Sequence, residues 1–327
     1  MNHTRRRLGR LAACVAAVSL PGLSLAQPSM ASANRPARLL VGFAPGGSSD
    51  IVARLIAMKL TEVDGQHVVV ENRAGAGGSI AAEAVSRSKP DGQTWLIAPS
   101  GHATLAAMRK KLPFDPVKDF SWVSTITTYP LLIGVRPDSP YKTLQDVLDA
   151  ARKNPGKISF SSVGMGTAHH LLGEWLNAAG KVELLHVPFK GDSLALTEVL
   201  AGRVDLFIST MTAGLAQVQS GRIRAIAVSS AKPFPLLPSV PTIDSTLPGV
   251  AYESWLGIAV APNTPPAIVD HINAELRKVL ALPDVKKKLA DLGGQASPST
   301  PEQFRDRVAR DIERFDDVVK VRHIEKQ

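Results

Sequence analysis

The chain has 327 residues, of which 38 are basic and 29 acidic, and these charges are scattered rather than gathered in blocks. Together with an aromatic content of only 5%, this pattern argues against a nucleic-acid-binding protein, which would need a basic stripe or stacking aromatic side chains. The length is sufficient for two domains.

Residues 1–26 have the pattern of an export leader. Basic residues precede the apolar run 11–20, and the small residues that end at Ala26 form a cleavage signal. A second such signal ends at Ala33, and the arginines near the start leave the twin-arginine pathway open. The only cysteine, Cys14, lies in this leader. The exported chain is therefore predicted to be periplasmic, without disulfides, thiol nucleophiles or cysteine-bound metals.

The first strand after the leader runs directly into a glycine-rich turn. An apolar stretch leads into this turn, and an amphipathic helix pattern begins at Ile51. Glycine lets the backbone approach a ligand closely, and the first amides of a helix lack intrahelical partners and carry partial positive charge. The sequence therefore predicts an anion-binding loop. Its predicted binding residues are Phe43, Pro45, Gly46 and Gly47.

Strands and helices alternate along the rest of the chain. The predicted strands are 68–70, 94–98, 131–135, 158–162, 184–187, 204–208 and 223–228. The predicted helices are 80–88, 143–154, 168–179 and 192–201, followed by a helical tail with a capping box at 300–303. This alternation predicts an α/β fold with mostly parallel sheets flanked by helices. Ligands of such sheets bind beyond the carboxyl ends of the strands, where the loops rich in glycine and serine lie.

Two further strand ends carry polar residues. The loop after the strand 158–162 is predicted to contact the solute through backbone amides and hydroxyl groups. Its candidate residues are Ser162, Gly164, Gly166 and Thr167. Thr167 is equally suited to cap the helix that follows. Ser100 and His102 follow another strand and are predicted to reach the cleft, although a lone histidine more often packs inside a fold.

The later loops supply the remaining candidates. Phe189 and Lys190 follow a strand, and Lys190 faces either the cleft or solvent. Asp205 either contacts the solute or anchors a loop. A pocket built from backbone donors recognises a carboxylate without identifying it, so selectivity is predicted to depend on the shape of the wall. The residues predicted to form that wall are Phe43, Ser100, Phe189 and Ser209.

The sequence carries no signature of an enzyme. An exported α/β hydrolase would need a Gly-x-Ser-x-Gly elbow, and the chain contains none. The histidines are scattered, and the adjacent His169 and His170 face different sides of a helix, so they cannot share a metal in the usual way. Neither a cofactor nor a metal is predicted.

The loops described above also carry a family resemblance over nearly the whole exported chain. The matching stretches are 43–50, 71–78, 164–171, 187–191, 202–205 and 254–257. With them the chain resembles the extracytoplasmic solute receptors of tripartite tricarboxylate transporters, the Bug family. The resemblance implies a two-lobed periplasmic binding protein, type II-like, with the ligand cleft between the lobes. It assigns 34–126 plus 226–327 to lobe 1 and 127–225 to lobe 2.

The resemblance further implies a small, usually carboxylated solute and the membrane subunits of a transporter as partners, with the receptor expected to be a monomer. A periplasmic sensor that reports solute occupancy to a signalling partner remains the alternative, because it would bind its ligand in the same way. Departures from the family pattern are modest. Ala44 and Ala74 stand where proline is frequent, and Phe189 replaces a frequent tyrosine and so lacks its hydroxyl.

Overall fold

The computed structural model describes residues 35–321 and 323–326, so the predicted leader and its cleavage sites lie outside the described residues. The described chain forms ten strands: β1 (Ala37–Val41), β2 (Val68–Asn72), β3 (Thr94–Pro99), β4 (Ser121–Val135), β5 (Ser159–Ser162), β6 (Leu185–Pro188), β7 (Phe207–Thr210), β8 (Arg224–Val228), β9 (Glu253–Val260) and β10 (Gln295–Ala296). It also forms ten α-helices: α1 (Ser48–Asp64), α2 (Ser79–Ser86), α3 (Gly101–Met108), α4 (Leu144–Lys153), α5 (Ala168–Gly180), α6 (Asp192–Leu200), α7 (Met211–Gln219), α8 (Pro266–Ala281), α9 (Pro283–Asp291) and α10 (Pro301–Val321). None of the helices described here is long and apolar enough to cross a membrane.

Several helix ends follow the capping signals in the sequence. Before α4, the hydroxyl of Thr143 accepts a hydrogen bond from the amide of Asp146, whose carboxylate accepts one from the amide of Thr143. Thr300 and Gln303 exchange the same two bonds before α10, which confirms the predicted capping box. Helix α1 ends at Gly65, whose left-handed backbone (φ +68°) is a common helix terminator.

The strands form a mixed sheet rather than a mostly parallel one. The main sheet has the order β10-β4-β9-β3-β1-β2, with β7 and β8 also paired to β4, and β5 pairs with β6 separately. Strands β2 and β3 flank β1 in parallel, but β4 and β9 run antiparallel to all of their partners. The prediction of mostly parallel sheets is wrong in this respect, because the pattern of a buried strand does not reveal the direction of its neighbour.

Strand β4 joins two halves of the molecule. In the first half, its residues 121–130 pair with β9, which continues into β3, β1 and β2. In the second half, its residues 131–135 pair with β7 and β8. An isolated bridge between Phe160 and Leu206 links the β5–β6 pair to the second half. The predicted lobe boundary at 126/127 therefore falls inside this one long strand.

Helix α10 packs across the first half through a cluster of aromatic rings. Phe304 meets the ring of Trp122 at 4.9 Å and that of Trp255 at 5.1 Å, both edge to face. Trp255 is fully buried, and its indole donates a hydrogen bond to Asp311 at 2.7 Å. Trp255 thus serves as core, and its neighbour Ser254 on β9 faces the central cavity described next.

Candidate functional site

Five helices begin around one cavity at the junction of the two halves. The residues that line it are Phe43, Gly47, Ser48, Ser49, Pro99, Ser100, Gly101, Tyr129, Val163, Thr167, Ala168, His169, Asp192, Thr210 and Ser254. They include the first residues of α1, α3, α5 and α6 and the residue that caps α7. Its volume of about 30 Å³ accommodates a water molecule but not a carboxylic acid. We call it the central cavity.

The loop before α1 presents the start of that helix to the central cavity. Gly46 has a left-handed backbone (φ +80°), and its amide donates to the carboxylate of Asp50 at 3.0 Å. Gly47 is extended (φ −84°) and occupies the N-cap position, with Ser48 and Ser49 buried beside it. The first-turn amides of α1 have no intrahelical acceptor and are therefore available to an anion.

Asp50 holds this loop in place through hydrogen bonds to its carboxylate. Its carboxylate accepts hydrogen bonds from Arg54 at 2.9 and 3.0 Å and from the side chain of Asn72 at 2.9 Å. Burial pushes the pKa of Asp50 upward, but these hydrogen bonds and that of Gly46 outweigh it and hold the pKa below its usual value. The ionised carboxylate thus fixes the turn.

In the loop between β5 and α5, the amides that were predicted to bind the solute already donate hydrogen bonds to neighbouring side chains. Gly164 donates its amide to the hydroxyl of Ser162 at 3.1 Å, and Gly166 donates its amide to Nδ1 of His170 at 3.0 Å. Ser162, Gly164 and Gly166 do not line the central cavity. Thr167 does, so this loop contributes the first turn of α5 rather than its glycines.

Thr167 caps α5 and faces the central cavity with the same side chain. Its hydroxyl donates to the carbonyl of Gly164 at 2.7 Å and lies 3.5 Å from the amide of His170. Thr167→Ala is expected to lower the free energy of unfolding by about 1 kcal/mol, the usual value of such a cap. Urea denaturation measures this loss, and solute titration of the same variant measures affinity. A larger loss in binding than in folding would show direct contact with solute, and an equal loss would assign Thr167 to structure.

A buried network of hydroxyl groups forms one wall of the central cavity. Ser100 lies 2.7 Å from the hydroxyl groups of both Ser254 and Tyr252. Tyr129 lines the same wall, and burial raises the pKa of Tyr129 and of Tyr252 far above the usual value. Both phenols therefore stay protonated and can donate. Of these residues only Ser100 was predicted, because Tyr129 lies within β4 and Ser254 within β9, away from the loops at the strand ends.

His102 lies outside the central cavity, contrary to its predicted place in the cleft. Its ring stacks on Phe114 (5.6 Å) and meets the edges of Phe120 and Trp122. Its Nε2 lies 2.8 Å from the carbonyl oxygen of Pro116. Burial lowers the pKa of His102 to about 4. The imidazole is therefore a neutral part of the core, which is the alternative that the sequence left open.

The burial of His102 predicts a specific acid sensitivity. Its pKa is about 4 in the folded chain and about 6.5 when unfolded, so the unfolded chain binds more protons between these values. Stability is therefore lost as pH falls from about 6.5 towards 4. In His102→Gln the free energy of unfolding is expected to fall less steeply over this pH range. Part of the fall should persist because of His186, whose pKa burial lowers to about 3. Urea unfolding at pH 7, 6 and 5 measures the slope, and an unchanged slope would contradict this assignment.

Phe189 and Lys190 line a second cavity beside the first. This cavity has a volume of about 210 Å³, shares Val163 with the central cavity and also contains Arg109 and Gly164. Nε of Arg109 is buried without a hydrogen-bond partner among the residues that the structure describes. No feature of the sequence pointed to Arg109, which directly follows the short helix α3.

Two predicted residues lie behind the site rather than in it. Asp205 accepts hydrogen bonds from the amide and the hydroxyl of Ser159, both at 2.8 Å, and so anchors β5. Ser209 is fully buried, and its hydroxyl donates to Asp192 at 3.2 Å. Asp205 is therefore a loop anchor, and Ser209 contacts Asp192, which lines the central cavity and was not predicted as a binding residue.

Two hydrogen bonds link the two halves of the molecule. The amide of Ala44 donates to the carbonyl of Lys190 at 2.8 Å. The hydroxyl of Thr104 donates to the carbonyl of Gly166 at 2.7 Å. Gly77 also lies against the backbone of Met165, with no room for a side chain between them. The cavity is therefore closed in this structure.

One group of potential metal ligands lies elsewhere. Asp64, His271 and Glu275 bring ligand atoms within 4.8 Å of one another. Glu275 already pairs with Lys278 at 2.7 Å, which partly neutralises it. The absence of a metal site therefore stays a prediction.

The chain matches a known family over most of its length. Residues 52–324 match the family model described as the tripartite tricarboxylate transporter family receptor. A relative from a Pseudomonas species, the UPF0065 protein in the tcbD-tcbE intergenic region, is 38% identical over 312 residues, which cover 95% of this chain and 93% of the relative.

Solved structures of periplasmic binding proteins have the same fold. BugD is 33% identical with a TM-score of 0.85, and the alignment covers 89% of this chain and 99% of BugD. Rpa4515 of Rhodopseudomonas palustris, solved with adipate, is 32% identical with a TM-score of 0.85, covering 89% and 98%. MatC of the same organism, solved with bound malate, is 31% identical with a TM-score of 0.83, covering 87% and 98%.

Proposed function

Since this chain belongs to the tripartite tricarboxylate transporter receptor family, we propose that it captures a small carboxylated solute in the central cavity and delivers it to the membrane subunits of a transporter. It is a two-lobed periplasmic solute-binding protein rather than an enzyme, as its family and structural relatives are. The exported hydrolase is therefore set aside.

The observation that carries this proposal is the convergence of helix N-termini on the central cavity. Helices α1, α3, α5 and α6 begin at the central cavity, and the cap of α7 lies there too. Each N-terminus offers unpaired amides and a partial positive charge, which together stabilise an anion. Two relatives of the same fold were solved with the carboxylates adipate and malate, which supports a carboxylate as the solute of this chain.

Capture requires the halves to separate. The central cavity of about 30 Å³ is too small for a dicarboxylic or tricarboxylic acid, and hydrogen bonds hold the two halves together. We assign the moving lobes to 34–126 plus 226–327 and to 127–225, with the hinge in β4 and β8. The solute would enter the open cleft and replace water against the helix starts as the lobes close.

A ligand screen tests the proposal. The chain from residue 27 onward is expected to be stabilised by at least one compound among dicarboxylates, tricarboxylates, amino acids and aromatic acids. A solute at 100 times its Kd adds about 2.7 kcal/mol to the free energy of unfolding, which a thermal-shift assay detects. Native mass spectrometry would give the stoichiometry and the oligomeric state, expected to be one solute on a monomer. If no small acid stabilises the protein, the proposal fails.

Delivery to a transporter needs its own test. Deleting the gene is expected to abolish uptake of the solute that the screen identifies. If uptake persists but a transcriptional response to that solute is lost, the protein is a sensor instead. The mass of the protein recovered from the periplasm would show whether the leader ends at Ala26 or Ala33.

A further inference from the structure

Two titratable side chains on different helices line the central cavity. His169 lies in the first turn of α5 and Asp192 is the first residue of α6. Both are 5% exposed. Within the described part of the chain, no lysine or arginine lines this cavity. A buried carboxylate thus stands in a site whose other features favour an anion.

The carboxylate of Asp192 has few partners for a buried charge. Its Oδ1 accepts from the hydroxyl of Ser209 at 3.2 Å and lies 3.5 Å from Nε2 of His169, which is long for a hydrogen bond. Its Oδ2 points towards the start of α1, because a Cβ built on Gly47 would lie 3.4 Å from it. No hydrogen-bond donor reaches Oδ2 from the residues that the structure describes. A carboxylate has acceptor positions on both oxygens, so Oδ2 can accept a hydrogen bond from a bound molecule.

His169 shows the same deficit. Neither of its ring nitrogens has a hydrogen-bond partner among residues 35–321 and 323–326. The neighbouring His170 is held differently, since its Nδ1 accepts from Gly166 and its ring stacks on His186 at 3.9 Å. His169 is therefore not part of that packing. Both His169 and Asp192 line the central cavity, and Nε2 of His169 lies 3.5 Å from Oδ1 of Asp192.

We propose that the solute carries a protonated amino group beside its carboxylate, and that Asp192 and His169 bind this amino group. This inference rests on the proposed function, because it assigns the second end of the same captured molecule. The carboxylate would lie against the amides that begin α1 and α5. The ammonium group would donate to Oδ2 of Asp192 and to a ring nitrogen of His169. The solute class is thus a zwitterionic amino acid.

Charge balance favours an amino acid over a plain dicarboxylate. A second carboxylate next to Asp192 would bring two like charges together in a closed space without a lysine or arginine to neutralise them. A simple amine would lack the group that the helix starts attract. A zwitterion satisfies both ends at once and adds no net charge to the closed cavity.

Matched pairs of acids test the assignment in the unmodified protein. The probes are L-aspartate against succinate and L-malate, L-glutamate against glutarate, L-alanine against propionate, and L-phenylalanine against 3-phenylpropionate. At least one amino acid is expected to bind, by calorimetric titration, at least about tenfold more tightly than its partner without the amino group. If acids without the amino group bind as well or better in every pair, the assignment is overturned while the proposed function stands. If nothing in the wider acid screen binds, the proposed function itself fails.

Substitutions then locate the amino group. Asp192→Asn preserves the shape of the side chain and an acceptor for Ser209 but removes the charge. Its affinity for the amino acid is expected to fall at least about tenfold, whereas its affinity for the matched acid without the amino group should not change. His169→Gln is expected to weaken amino acids selectively as well. Asp311→Asn is the matched control, a largely buried carboxylate bound to Trp255 outside the cavity, and should leave this preference unchanged.

A structural role for Asp192 gives a different result. If Asp192→Asn weakens both members of a pair equally, the carboxylate only supports the fold and the assignment fails. Thermal denaturation of each variant identifies any loss of folding. Should Asp192→Asn not fold, the comparison of pairs in the unmodified protein and in His169→Gln still decides the matter.

Discussion

Gly77→Ala is expected to weaken solute binding by at least about tenfold, through closure rather than through contact with the solute. Gly77 lies in the loop before α2, and a Cβ built on it would overlap the carbonyl oxygen of Met165 in the other half of the molecule. Gly164, also in the other half, packs against Gly77, since a Cβ built on Gly164 would lie 3.2 Å from Cα of Gly77. Backbone atoms cannot rotate aside as side chains do, so the alanine methyl group would hold the lobes apart.

Gly65→Ala is the matched control for this variant. Both glycines have the left-handed φ of +68°, so alanine costs about 1–2 kcal/mol of backbone strain at either position. Only Gly77 has a neighbour in the way, because nothing lies within 4 Å of a Cβ built on Gly65. Calorimetric titration gives the affinities, and small-angle scattering with solute shows whether the protein still contracts. Equal affinity in the two variants would mean that closure does not bring these loops together.

The parts of the site that the sequence predicts are those that depend on local structure. Gly46 and Gly47 break a strand and start a helix within a few residues, and Thr167 is a recognisable cap, so their positions follow from nearest neighbours. Tyr129 and Ser254 could not be found in this way. They sit inside strands whose antiparallel pairing brings them to the cavity, and a single sequence does not reveal such long-range pairing.

Hydrogen-bond competition explains where local prediction failed. Gly164 and Gly166 have the glycine spacing of an anion loop, but Ser162 and His170 occupy their amides. The same glycine spacing is therefore compatible with a loop whose amides bind a ligand and with a loop whose amides donate to its own side chains. Asp192 was predicted only as the first residue of a helix, and nothing in the sequence marked it as a residue of the site. Its burial and the absence, among the described residues, of a donor at its Oδ2 became evident only in three dimensions.

Gly47→Val is expected to reduce solute affinity by at least about a hundredfold and to leave a cooperative unfolding transition. The extended backbone of Gly47 (φ −84°) accepts a β-branched residue without strain, so the fold should lose only about 1 kcal/mol for the poorer N-cap. A Cβ at this position already reaches 3.4 Å from Asp192, in ordinary contact, and the two methyl groups of valine would fill the remaining space in front of the α1 amides.

Gly47→Ala provides the graded comparison, because its single methyl group meets Asp192 only at contact distance. Affinity should therefore fall modestly in the alanine variant and steeply in the valine variant. Titration with the best-binding acid of the screen measures both values, and urea denaturation at pH 7 shows whether the fold persists. If Gly47→Val binds that acid as tightly as the unmodified protein, the start of α1 does not contact the solute. The central cavity would then lose its place as the binding site.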